Sequence, residues 1–139
     1  NIIIPKNFVY LQPTSPIRSD DLIDRAIEKY LNSGSKSLFT AVIAKMQPHE
    51  LFTVEKNKLN FQKKDFVKTN RQFYQPNYFI TGSIYIINTK WFLEKRRFLS
   101  EDSSILITDE IEAIDIDSEF DFEYAEWLLS QKYNFFQKE

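Results

Sequence analysis

The sequence predicts an α/β fold with a mostly parallel sheet, and three observations support this. Strand-like and helix-like runs alternate along the chain, as is typical of parallel sheets. One amphipathic helix separates the first two strand candidates, so they form a βαβ unit whose strands are expected to be parallel and adjacent. The length of 139 residues suits a single domain, residues 1–139, with a core of its own.

The βαβ unit begins with an aromatic and β-branched run at residues 8–11, which predicts a buried strand. Pro13 ends this strand because proline lacks a backbone donor. Residues 19–21 (Ser-Asp-Asp) open a helix, and Gly34 stops it. Residues 37–44 predict the second strand. The apolar stripe of the helix comprises Leu22, Ile23, Ala26, Ile27, Tyr30 and Leu31.

Residues 46–76 differ in character and are predicted to form a protruding, β-rich segment. Two short strand candidates flank residues 55–57 in a hairpin pattern. Basic residues from Lys56 to Arg71 alternate with aromatic ones, a pattern that can bind single-stranded nucleic acid. The net charge of −2 disfavours that reading. We expect instead an exposed excursion whose aromatic side chains pack on a second subunit.

The later elements have equally local signals. Residues 80–88 predict a strong strand, a short helix surrounds Trp91, and residues 105–107 predict another strand. Residues 118–121 have the S-x-x-D form of a capping box and open a final helix.

Residues 114–117 read Ile-Asp-Ile-Asp, the period-two pattern of a strand with one buried face. On such a strand Asp115 and Asp117 share a side. Paired carboxylates suit Mg²⁺, which proteins usually hold by one or two carboxylates together with substrate phosphates. The alternative is a strand that runs into a helix, with Asp117 or Ser118 serving only as the N-cap.

Composition excludes several classes of protein. The chain has no cysteine, which excludes disulfides and thiolate metal sites. Its two glycines cannot build a glycine-rich phosphate loop. No apolar run is long enough to span a bilayer, and a secretory leader pattern is absent, so we expect a cytoplasmic protein with neither membrane nor nucleic acid as partner.

The loop after the first strand, Gln12-Pro13-Thr14-Ser15-Pro16, lies where open α/β sheets bind ligands. Its side chains offer hydrogen-bond donors and acceptors, although Gln-Pro and Ser-Pro alone also fit a turn. Further motifs follow in order: Arg71-Gln72, Y-x-x-x-G-S-I-Y-I at residues 78–86, the Ile-Asp-Ile-Asp run, Asp121-Phe122 and Ala125-Glu126. Together they resemble the CMP-N-acylneuraminate synthetases (acylneuraminate cytidylyltransferases).

This resemblance implies a Rossmann-like fold of the nucleotide-diphospho-sugar transferase type. The implied reaction transfers CMP from CTP to the anomeric hydroxyl of an acidic nine-carbon sugar and releases pyrophosphate. By position, Asp115 and Asp117 hold Mg²⁺ against the CTP phosphates. The implied substrate-binding residues are Gln12, Thr14, Arg71, Gln72 and Tyr85. Of these, Gln12 contacts the sugar, Arg71 approaches its acidic end and Tyr85 lines its N-acyl pocket. The family is dimeric, which implies a homodimer closed by residues 46–76.

Two departures from the family pattern shape the expectation. The strand and phosphate-binding loop that open the family's fold have no counterpart before residue 8, so the fold is expected to be incomplete at its N-terminus and this chain alone to be inactive. The alternative is a non-catalytic remnant or dimerisation module of the same fold. Ile80-Thr81 stands where the family usually has a second arginine or another polar residue, and Glu50 stands where some sialic acid enzymes have a lysine. Both changes remove positive charge, which leaves the identity of the sugar open.

Overall fold

The computed structural model describes residues 3–62 and 75–131. The chain divides into two compact units, one comprising Asn1–Val42 with Ile80–Glu139 and the other Ile43–Phe79. In chain order the elements are β1 (Asn7–Leu11), α1 (Leu22–Ser33), β2 (Ser37–Ile43), a 3₁₀ turn (Pro48–Glu50), β3 (Phe52–Glu55), β4 (Lys58–Phe61), β5 (Tyr78–Asn88), α2 (Thr89–Lys95), β6 (Ser104–Ile107) and α3 (Glu119–Ser130).

The main sheet has the strand order β1-β5-β2-β6. Strand β1 pairs antiparallel with β5, and β2 pairs parallel with β6. The backbone N–H of Asn88 donates to Lys36 (2.9 Å) and that of Ala44 donates to Asn77 (2.7 Å), so β5 also runs antiparallel to β2. Three of the four strands therefore share a direction, and the predicted α/β fold with parallel strands is confirmed.

The predicted βαβ unit is right in direction and wrong in adjacency, because β5 lies between β1 and β2. Strand β5 is eleven residues long, and its residues from Thr81 to Ile84 are buried. A strand whose buried residues are small or apolar is stable in the centre of a sheet. Helix α1 therefore crosses over a strand that comes from much later in the chain.

Strand β1 is not the buried strand that its sequence predicts. Val9, Tyr10 and Leu11 are 40%, 42% and 38% exposed. The reason is its position, because β1 pairs on one side only, with β5, within the described sheet. An aromatic and β-branched run indicates a strand whether or not both of its faces are covered.

The first core cluster lies between α1 and the sheet. Leu22, Ala26 and Tyr30 of α1 pack against Leu38 of β2 and against Ile84 and Ile86 of β5. This confirms the apolar stripe except for Leu31, which is 65% exposed. Nine residues separate Leu31 from Leu22, and at 100° per residue that spacing places them on opposite sides of the helix. Gly34 ends α1 with φ of 67°, in the left-handed conformation that glycine adopts without strain.

A second core cluster secures the C-terminal segment. Ile17, Ala125 and Leu128 are buried together, and Ile114 and Ile116 pack against them. Residues 114–117 nevertheless form no strand, contrary to the prediction. The alternation of isoleucine and aspartate indicates one apolar face. Here that face packs against α3 and the loop after β1 instead of joining a sheet.

The unit Ile43–Phe79 contains the predicted hairpin. Strands β3 and β4 pair antiparallel with Glu55 opposite Lys58. Lys56 and Asn57 have φ of 49° and 61°, the paired left-handed geometry of a two-residue type I′ turn. The unit overlaps the segment 46–76, whose protrusion and role in dimerisation stay predictions. Its basic residues from Lys63 to Arg71 lie outside the described residues.

Across the described ranges 3–62 and 75–131, no helix combines the length and apolarity needed to cross a membrane.

Candidate functional site

The loop after β1 docks onto the segment that carries the two aspartates. Ser15 is fully buried, and its hydroxyl lies 3.4 Å from both the carbonyl oxygen of Thr81 and Oδ1 of Asp115. The backbone N–H of Ile116 donates to the carbonyl of Thr14 at 2.8 Å. The structure therefore brings the predicted loop and Asp115 together at the carboxyl end of β1, although they are about a hundred residues apart in sequence.

Gln12 and Thr14 form a polar pair in this loop, next to a glycine of β5. Nε2 of Gln12 donates to Oγ1 of Thr14 at 2.9 Å. A Cβ added at Gly82 would lie 2.3 Å from Oε1 of Gln12, which is closer than two such atoms approach. Gly82 also has φ of 75°. Glycine is therefore required here for its backbone conformation and for the space that Gln12 occupies.

The N-terminus of α3 shows which residue caps the final helix. Oγ of Ser118 accepts from the backbone N–H of Asp121 at 3.3 Å, and Oδ2 of Asp121 accepts from that of Ser118 at 2.9 Å. This reciprocal capping box is the predicted one. Asp117 contributes only its backbone N–H, which donates to Asp121 at 3.2 Å. Capping therefore does not account for the carboxylate of Asp117.

The two carboxylates are left available for a ligand to different degrees. Asp115 is half-buried and Asp117 is exposed. In the described part of the chain the carboxylate of Asp117 has no hydrogen-bond or ion-pair partner, and the same residues contain no group of three His, Cys, Asp or Glu able to hold a metal. Two carboxylates alone suit Mg²⁺, which completes its shell with water and substrate phosphates. The assignment of Mg²⁺ to Asp115 and Asp117 stays a prediction.

The capping box leads to a prediction about the pKa of Asp121. Hydrogen bonds from Ser118 and from backbone N–H groups lower the pKa of Asp121. The pKa of Asp121 is therefore lower in the folded protein than in the unfolded chain. Ionised Asp121 stabilises the fold above its unfolded-state pKa, and this contribution is lost as pH falls through its folded-state pKa. We expect Ser118→Ala to raise the pKa of Asp121 toward its ordinary value in an NMR titration of side-chain carboxyl carbons.

Ser130→Ala is the control for this titration, because the Ser130 hydroxyl donates to Trp127 near the other end of α3. It is expected to leave the pKa of Asp121 unchanged. The assignment of the cap fails if Asp121 titrates identically in Ser118→Ala and in the unaltered protein.

Tyr85 lies in an aromatic cluster beside this site. Its ring faces that of Tyr10 on β1 (centroids 6.0 Å apart) and that of Phe98 (5.6 Å). Burial raises the pKa of Tyr85, and the charges of Tyr10 and Asp115 raise it further. The phenol therefore keeps its proton at neutral pH. Tyr10 lies opposite Tyr85 in the β1–β5 register, two residues before Gln12, so the aromatic cluster adjoins the loop after β1.

Two charged residues in the same unit were not singled out from sequence. Arg18 donates to backbone carbonyls on both sides of the Gln12–Gly82 contact. Glu112 is only 3% exposed and accepts from the backbone and hydroxyl of Ser19, with Arg25 at 3.7 Å, so it holds the start of α1. Nothing in their local sequence distinguishes these charges from solvated ones. The predicted sugar-binding pair Arg71 and Gln72 lies outside the described residues.

No family model matches the chain. Sequence comparison finds three relatives. The chain is 32% identical over 123 residues to post-translational flagellin modification protein B of Campylobacter coli, covering 88% of this chain and 52% of that protein. CMP-N,N'-diacetyllegionaminic acid synthase of Campylobacter jejuni is 35% identical over 96 residues, which cover 68% of this chain and 40% of that protein. The enzyme of the same name from Legionella pneumophila is 31% identical over 125 residues (88% and 51%).

Among solved structures, the chain resembles 4-diphosphocytidyl-2C-methyl-D-erythritol synthase from Anaerococcus prevotii, with a TM-score of 0.55 at 14% identity, over 90% of this chain and 59% of that one. At this identity the likeness shows the fold alone. The chain spans about half the length of the curated relatives it matches. Over that length it is homologous to proteins that carry these names, in agreement with the resemblance that its motifs predict.

Proposed function

We propose that the full product of the gene that encodes this chain is a cytidylyltransferase, which transfers CMP from CTP to the anomeric hydroxyl of an acidic nine-carbon sugar. The observation that carries the proposal is the docking of the Gln12–Thr14 loop onto the Asp115 segment, through Ser15–Asp115 and Ile116–Thr14. These two segments therefore meet at the carboxyl end of β1, where open α/β sheets bind ligands, and this contact supports the proposal. The names of the relatives support the same reaction class.

In this proposal the anomeric oxygen attacks the α-phosphorus of CTP. The bond between that phosphorus and the oxygen that bridges the α- and β-phosphates breaks, and pyrophosphate leaves. Asp115 and Asp117 would hold Mg²⁺, which when bound neutralises the phosphate charge. Ser15 orients Asp115, since its hydroxyl lies within hydrogen-bond distance of one carboxylate oxygen. Asp117 is exposed and presents its carboxylate without a competing partner in the described residues.

Gln12 and Thr14 supply an amide and a hydroxyl toward the sugar, held to each other at 2.9 Å. Tyr85, with Tyr10 and Phe98, supplies an aromatic wall suited to an apolar N-acyl group. Arg71 and Gln72 are proposed to approach the acidic end of the sugar, because a guanidinium binds carboxylate in a bidentate manner. We further propose a homodimer in which residues 46–76 help to close the site of the partner.

The test uses the full product of the gene that encodes this chain. It is incubated with CTP, Mg²⁺ and one of a panel of nonulosonates that includes N-acetylneuraminate and N,N'-diacetyllegionaminate, and pyrophosphate is measured. We expect release that depends on CTP, on Mg²⁺ and on one of the sugars, with UTP and sugar-free reactions as controls. A folded protein that releases no pyrophosphate with any sugar would support the non-catalytic alternative.

A further inference from the structure

We infer that Arg18 is a positioning residue that holds Gln12 in the geometry required for the sugar. This inference rests on the proposed function and adds a specific residue to it. Arg18 lies at the end of the loop after β1, directly after the buried Ile17 and before α1 begins at Leu22. It therefore stands between the loop that carries Gln12 and the core of the domain.

The guanidinium of Arg18 links two parts of the chain that are far apart in sequence. Its Nη2 donates to the carbonyl of Gln12 at 2.9 Å and to the carbonyl of Ser83 at 3.0 Å. Its Nε donates to the same Ser83 carbonyl at 3.3 Å. A planar group that makes three hydrogen bonds fixes both the distance and the angle between its partners.

The two carbonyls flank the contact on which the Gln12 side chain depends. One belongs to Gln12 itself, and the other belongs to Ser83, which follows Gly82. Oε1 of Gln12 lies against Gly82 so closely that no Cβ would fit there. A shift of either carbonyl would therefore move the amide of Gln12 relative to β5.

The electrostatics of Arg18 favour this geometric role over ion pairing. The side chain is half-buried, and burial lowers the pKa of its guanidinium. In the described part of the chain it forms no salt bridge. A cation taken from water without a carboxylate partner is costly unless its hydrogen bonds are satisfied. Backbone carbonyls of Gln12 and Ser83 satisfy them here.

The test is a double-mutant cycle on the active protein with Arg18→Lys, Gln12→Ala and the combined variant. Lysine keeps the charge but lacks the planar fork. We expect Arg18→Lys to raise the KM for the sugar about tenfold, since small misplacements of positioning groups cost this much or more. The KM for CTP is expected to stay within about twofold. In the Gln12→Ala background, Arg18→Lys is expected to add almost nothing.

Arg25→Lys is the matched control, because Arg25 is an exposed arginine of α1 that pairs with Asp21 at 2.9 Å. It should leave both KM values unchanged. Additive effects of Arg18→Lys and Gln12→Ala, or an unchanged sugar KM in Arg18→Lys, would overturn the inference. If Arg18→Lys does not fold, Arg18→Gln is measured in its place, and failure of both to fold would make Arg18 a folding residue and overturn the inference as well.

Failure of the proposed function is distinguishable from failure of this inference. If the unaltered protein is inactive with every sugar, the proposed function fails, and the link is then tested by NMR on the side-chain amide of Gln12. We expect that amide resonance to shift in Arg18→Lys and to stay unchanged in Arg25→Lys. An unshifted resonance in a folded Arg18→Lys protein would overturn the inference by itself.

Discussion

Replacing Asp117 with Asn is expected to lower pyrophosphate release at least about a hundredfold. Metal stabilisation of transition-state charge contributes several kcal/mol, and each 1.4 kcal/mol is about tenfold in rate. The substitution keeps the size of the side chain and removes the charge that Mg²⁺ requires. Asp117 is exposed, and its carboxylate takes no part in the capping box, so folding should be unaffected. The measurement is kcat over a range of Mg²⁺ concentrations.

Asp115→Asn is expected to lower activity by a similar factor. It should differ from Asp117→Asn in its effect on the pKa of Tyr85. Asp115 raises the pKa of Tyr85, whereas Asp117 is not among the causes of that shift. The pKa of Tyr85 should therefore fall in Asp115→Asn, yet stay above its ordinary value because burial is the larger cause. It should be unchanged in Asp117→Asn. A spectroscopic titration of Tyr85 separates the two carboxylates.

Glu123→Gln is the control for both substitutions. Glu123 is an exposed acid of α3, and its replacement changes the net charge by the same amount. It should leave activity and the Mg²⁺ dependence unchanged. Full turnover by Asp117→Asn with an unaltered Mg²⁺ dependence would rule out the metal assignment.

Features that depend on a few neighbouring residues could be predicted from the sequence. Ser118 and Asp121 are three residues apart, so their capping box needs no distant partner. Gly34 ends α1 because the left-handed conformation is a property of that one residue. The turn at Lys56-Asn57 depends on two adjacent residues and on the strands that flank them.

Features that depend on contacts between distant parts of the chain could not be predicted from local sequence patterns. The insertion of β5 between β1 and β2 depends on how well each strand fits the centre of the sheet, which the βαβ rule does not include. The Ile-Asp-Ile-Asp run indicates one apolar face, but such a face can pack in a sheet or against a helix equally well. Ile114 and Ile116 are partly buried and pack beside α3, not in a β-ladder.

The candidate site divides in the same way. Gln12, Thr14 and Asp115 could be named because they belong to short motifs, and the structure brings them together. Arg18 and Glu112 could not, because a charged residue acquires its role only from the carbonyls or hydroxyls that the fold places around it. The roles of all the predicted site residues stay predictions: those toward the substrate (Gln12, Thr14, Arg71, Gln72 and Tyr85) and those toward Mg²⁺ (Asp115 and Asp117).

Replacing Gly82 with Ala is expected to damage sugar binding more than stability. A non-glycine residue in the left-handed region costs about 1–2 kcal/mol, which lowers the unfolding temperature by several degrees. The added Cβ would also lie 2.3 Å from Oε1 of Gln12. That oxygen is at the end of a flexible side chain, so the clash is relieved when Gln12 moves away. We therefore expect the KM for the sugar to rise on the order of a hundredfold.

Gly34→Ala isolates the backbone cost of this change. Gly34 has φ of 67°, close to the 75° of Gly82, and an added Cβ there would meet no atom within 4 Å. Both variants should lose similar stability in thermal unfolding, and only Gly82→Ala should raise the KM for the sugar. Adding Gln12→Ala to Gly82→Ala removes the clashing oxygen, so no stability should be lost beyond that in Gly34→Ala, while the sugar KM stays high. An unchanged sugar KM in Gly82→Ala would mean that the position of Gln12 does not matter for the sugar.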